Sequence, residues 1–62
     1  MHSFKLTYHI NYGDGTKTRS NEAVYLGETA IDAWQKFLNT RKWYTPEEAA
    51  KLFFLEDWKI IT

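Results

Sequence analysis

His2 and His9 are the only strong nitrogen ligands in this chain, and no cysteine accompanies them. Tetrahedral zinc takes several imidazoles or thiolates at set spacings, so two isolated histidines predict no metal site. Asp14 lies inside Gly13-Asp14-Gly15 without the regularly spaced acids of a calcium loop, and reads as turn chemistry. His9 is the one realistic base for a hydroxyl nucleophile. If the loop around Asp14 has three residues, Arg19 shares the face of His9 while Ser20 points the other way, and no dyad forms. Glu47-Glu48 and Glu56-Asp57 are sequence neighbours, whose side chains diverge on a helix or strand rather than converging for acid–base work. The expectation is a protein that is not an enzyme and uses neither metal nor cofactor.

Binding chemistry is better supplied. Arg41-Lys42-Trp43-Tyr44 interleaves cations with rings, and Tyr12 and Tyr25 add phenols outside any helical stripe. Tyr, Trp and Arg are the residues that most often anchor protein interfaces, so these six are the candidate contacts for a protein partner or for self-association. The alternative is nucleic acid, held by Lys5, His9, Lys17 and Arg19 on the polar face of a hairpin together with Arg41 and Lys42. Eight basic and eight acidic residues cancel to a formal net charge of zero, which gives a polyanion or an anionic membrane no long-range attraction. Protein binding is therefore the favoured reading. An open sheet edge offers a second route to association, by strand addition to a partner or to a copy of the same chain.

The elements that must position these residues follow from periodicity. Phe4, Leu6, Tyr8, Ile10 and Tyr12 alternate with Lys5, Thr7, His9 and Asn11, the pattern of a half-buried strand. Gly13-Asp14-Gly15 then suits a hairpin loop, with the return strand over Thr16 to Leu26. A three-residue loop sets Phe4 opposite Val24 and buries Glu22 opposite Leu6. A two-residue loop, or a bulge near Asn21, instead turns Ala23 and Tyr25 toward the core, and the register stays open between these. Ala30, Ala33, Trp34, Phe37 and Leu38 form the buried stripe of a helix of about ten residues that starts near Thr29 and ends at Asn39-Thr40. Thr45-Pro46-Glu47-Glu48 combines an N-cap, a first-turn proline and dipole-matched acids, predicting a second helix from Pro46 to about Phe53 with Ala49, Ala50 and Phe53 on its apolar side. The tail Asp57-Trp58-Lys59-Ile60-Ile61-Thr62 is rich in β-formers and predicts a third strand.

The expected architecture is one α+β domain over residues 1–62 in the order ββααβ, with a three-stranded antiparallel or mixed sheet and both helices on one face. So small a chain buries only about 60% of its unfolded surface, and without disulfides it depends on its eleven aromatic residues for a core. Trp34 and Phe37 are the expected core rings. The absence of cysteine, of a signal-like apolar start and of any run near the ~20 apolar residues of a membrane span predicts a cytoplasmic protein away from membranes.

The stretch FKLTYHINYGDGTKT, followed by TAIDAWQKFL, resembles the short accessory proteins of tailed phages and other mobile elements, in which a D-G hairpin precedes an A-x-x-A-W-x-x-F-type helix. The resemblance covers about two-thirds of the chain. It implies a non-enzymatic protein that binds, or binds and inhibits, a host protein, and it assigns no functional residues.

Overall fold

A computed structural model describes residues 1–62. Strands β1 (His2–Ile10) and β2 (Asn21–Gly27) are followed by helices α1 (Ala30–Asn39) and α2 (Pro46–Leu52) and by strand β3 (Phe53–Ile60). The strands form one sheet in the order β2-β1-β3, antiparallel throughout. The strand with the unbroken alternation thus takes the centre, where one face can be buried and both edges hydrogen-bonded. No helix is long and apolar enough to cross a membrane.

The two hairpin registers that compete in the sequence both occur, one after the other. Tyr12 N–H donates to Thr16 O at 3.0 Å, closing a three-residue loop whose glycines adopt positive φ (Gly13 84°, Gly15 91°). Asn11 Oδ1 and Asp14 Oδ1 accept from the N–H groups of Gly13 (3.0 Å) and Thr16 (2.9 Å), so the loop satisfies its own backbone. One residue is then gained between Thr18 and Asn21, and β2 runs with Phe4 opposite Tyr25 and Leu6 opposite Ala23. The shift has a physical reason. It keeps Glu22 out of the core and places it on the open face, where its Oε2 meets Lys5 Nζ at 3.2 Å.

Thr29 caps α1 by accepting from Asp32 N–H at 3.2 Å, and Ala30, Ala33, Phe37 and Leu38 are buried as the stripe predicts. Trp34 departs from expectation. It is only half-buried and lies flat against Phe37, with ring centroids 4.8 Å apart and planes at 8°. Gly27 lets this helix settle on the end of β2, since a Cβ there would stand 2.7 Å from Ala33 N and 2.9 Å from Thr29 O.

Thr45 and Glu48 close a full capping box: Thr45 Oγ1 accepts from Glu48 N–H (3.2 Å) and Glu48 Oε1 accepts from Thr45 N–H (3.1 Å). The helix they start ends at Leu52, and Ala50 is exposed rather than apolar packing. Phe53 is already strand, so β3 begins four residues before the expected Asp57 with no loop between. Asn11 N–H takes Leu52 O at 2.7 Å, which extends pairing with the first strand to the helix end and draws the aromatic run Phe53-Phe54 into the sheet. A bulge between Thr7 and Tyr8 on the β1 ladder leaves Glu56 without a partner across from it. The core comprises Phe4, Leu6, Ala30, Ala33, Phe37, Leu38, Ala49 and Phe53, with the half-buried Tyr8 and Tyr25 packed against it.

Candidate functional site

The six residues expected to contact a protein divide into supports and a presented ring. Arg41 is half-buried and folded onto the core: its guanidinium carbon sits 4.1 Å above the centre of the Phe37 ring, Nε donates to Phe37 O (3.1 Å) and Nη2 to Tyr25 Oη (2.9 Å). Tyr25 is half-buried, edge-on to Phe37, and its hydroxyl also bonds Thr40 Oγ1 at 2.9 Å. These two residues are thereby occupied in holding the end of α1 to the sheet. Tyr44 packs edge-on against Phe53 at 5.9 Å, directly before the capping threonine of α2. Between these anchors the chain turns, with Tyr44 N–H reaching Arg41 O at 3.4 Å, and Trp43 projects with 89% of its surface exposed.

Thr40, Arg41, Lys42, Trp43, Tyr44 and Phe53 line an open cleft of about 330 Å³ beside this ring. Lys42 is exposed at its rim. Tyr12, also exposed, stands near the hairpin loop and lies outside the cleft. The structure therefore brings four of the six together around one cleft and assigns Tyr25 to its support.

The residues considered for nucleic acid do not form one free cationic surface. Lys5 pairs with Glu22, His9 with Glu56, and Arg41 is folded onto Phe37. Lys17, Arg19 and Lys42 are exposed and make no ion pair.

Sequence reasoning missed a polar cluster on the open face of the sheet. His9 Nδ1 donates to Glu56 Oε2 at 2.7 Å, and Ser20 Oγ donates to both carboxylate oxygens at 3.0 and 2.9 Å. Ser20 thus does reach the side of His9, contrary to the three-residue-loop register, because the inserted residue after Thr18 turns the chain there. Hydrogen bonds from His9 and then Ser20 hold the Glu56 carboxyl below its ordinary pKa, with the Lys17 charge a smaller influence. The carboxylate stands between the hydroxyl and the imidazole. Lowering its pKa makes it a poorer base for Ser20, so the cluster is suited to tying three segments together. No sequence signal marked it, because the bulge at Glu56 arises only from pairing across the sheet.

Comparison of the chain with protein-family models, with curated proteins and with solved structures finds no match.

Proposed function

We propose that this chain is a non-enzymatic protein-binding module whose principal contact is the loop between its helices. The observation that carries the reading is Trp43, an almost fully exposed tryptophan on a segment anchored at both ends. Arg41 and Tyr44 secure the loop from either side, so presenting the indole requires little further ordering of the backbone. A rigid aromatic anchor beside a cleft is the arrangement in which a few residues carry most of an interface's binding free energy. Lys42 at the rim adjusts rate and specificity rather than supplying the bulk of the affinity. The resemblance of the hairpin and first helix to short phage accessory proteins points to a host protein as the partner.

Affinity capture from the native cell, with mass spectrometry and a nuclease-treated control, tests this reading when wild type and Trp43→Ala are run side by side. The expected result is a protein captured by wild type, resistant to nuclease and lost with Trp43→Ala. The variant should melt within about 0.5 kcal/mol of wild type, as surface substitutions do. Capture that is equal for both chains, or unfolding of Trp43→Ala, would remove the site. Steeply salt-sensitive retardation of DNA or RNA would move the assignment to nucleic acid.

A further inference from the structure

The outer edge of β3 carries a pattern that selects its own partner. Because Ile61 N–H donates inward to Ser3 O at 2.9 Å, the alternation of an antiparallel ladder turns the backbone groups of Lys59 and Asp57 toward β1 and those of Trp58 and Ile60 outward. In agreement, Trp58 N–H is met by the side chain of its own neighbour, Asp57 Oδ1, at 2.8 Å. No strand covers that edge.

The side chains beside it are unpaired in a complementary way. Asp57 and Lys59 point to the open face of the sheet, and neither has an ion-pair partner. Lys59 instead lies opposite Lys5 across the ladder. On the other face, Trp58 (47% exposed) and Ile60 (54%) line an apolar groove of about 390 Å³ with Phe4, Ala30 and Ile31.

We propose that β3 pairs antiparallel with β3 of a second copy of this chain, about a two-fold axis at Trp58, giving a continuous six-stranded sheet. Charge and backbone phase select this register together. Outward-facing groups must meet outward-facing groups, which leaves three two-fold arrangements of Trp58 and Ile60. Centring the axis on Lys59 sets two lysines face to face. Centring it on Ile60 sets Lys59 against Ile61 and leaves the lysine without an acid. Only the axis at Trp58 sets Asp57 against Lys59 of the other copy, twice, at the pair positions where side chains approach most closely. Trp58 N–H then exchanges its local acceptor for Trp58 O of the second copy, which releases the Asp57 carboxylate for the ion pair. The two indoles meet on the other face and cover part of the groove. The contact is small, so association depends on concentration and weakens as salt screens the ion pairs. This inference is independent of the Trp43 reading, because it uses a different surface and a different partner.

A charge-reversal pair provides the test. Sedimentation equilibrium of wild type is expected to show a reversible monomer–dimer equilibrium, while Asp57→Lys alone and Lys59→Asp alone are each monomeric. An equimolar mixture of those two variants restores the dimer, since each then presents the charge that the other lacks. An isotope-filtered NMR experiment on wild type should in addition show a contact between the α-protons of Asp57 and Lys59 that crosses between copies. A wild type that stays monomeric at millimolar concentration, or a dimer that both variants form undiminished, overturns the proposal. So does a dimer without the intermolecular contact, or one abolished by Trp43→Ala. Failure of either variant to fold leaves the filtered NMR experiment as the deciding measurement.

Discussion

The two ends of the helix-facing side of the sheet carry similar side chains and meet different fates. At the Phe53 end, the rings of Tyr8, Trp34 and Tyr44 gather around Phe37 and Phe53, and Phe37, which Tyr25 meets from the β2 edge, is wholly buried. At the Ile60 end, Phe4 and Trp58 pack edge-on at 5.7 Å, yet Trp58, Ile60 and Ile31 remain exposed. The difference comes from the helices rather than from hydrophobicity. α2 has only seven residues and packs on one end, leaving the first turn of α1 as the sole cover at the other. An aromatic residue here becomes core or surface according to whether a helix reaches it.

The comparison is sharpest at its closed end. Phe37→Ala should cost about 3–5 kcal/mol, near the entire stability of so small a chain, and leave it largely unfolded in a denaturant titration. A variant that keeps a cooperative transition near the wild-type midpoint would show that the ring cluster is not the keystone. Gly27→Ala comes next. The added methyl would collide with backbone atoms of Thr29 and Ala33, which cannot swing aside, so a loss of about 1–3 kcal/mol is expected. Equal stability of this variant would mean that α1 does not sit so closely on β2.

Trp58→Ala makes a comparable aromatic deletion at the open end. Half of that ring is already in water, and the expected loss is about 1–2 kcal/mol when the chain is monomeric. A cost as large as that of Phe37→Ala would erase the distinction between the two ends. The smallest effect concerns the open face of the sheet, where Glu56 is held below its ordinary pKa by His9 and Ser20. The unfolded chain binds protons at higher pH than the folded chain does at this site. The contribution of Glu56 is therefore complete above the ordinary glutamate range and is lost as pH falls through the folded value. Glu56→Gln should flatten part of the decline in melting temperature between about pH 7 and pH 3. Asp14 and Glu48, lowered by the backbone N–H groups of Thr16 and Thr45, retain the remainder. An acid limb unchanged by Glu56→Gln would mean that the cluster does not hold in solution.

Local chemistry was legible without the fold. The alternation from Phe4 onward, the D-G loop, the stripe from Ala30 to Leu38 and the cap at Thr45 are each decided by interactions within a few residues. They specified the element order and the burial of Phe37. Trp43 was legible as an exposed ring, since nothing in the adjoining stripes required it. The fate of its companions was not. Arg41 and Tyr25 carry the residue types of interface anchors, but each found its partner across the fold, one against the other over Phe37.

What only the tertiary structure decided are the matters that depend on pairing across long stretches of chain. The inserted residue after Thr18 answers to the burial of Glu22 opposite Leu6, which exists only once the strands have met. The early start of β3 answers to Asn11 reaching Leu52, and the meeting of His9, Ser20 and Glu56 to a bulge on the far edge. Periodicity assigns each residue to a face of its own element. Which faces and edges then find cover depends on where the other elements end, and a strand or helix can shift by one residue at little local cost while changing every contact beyond it.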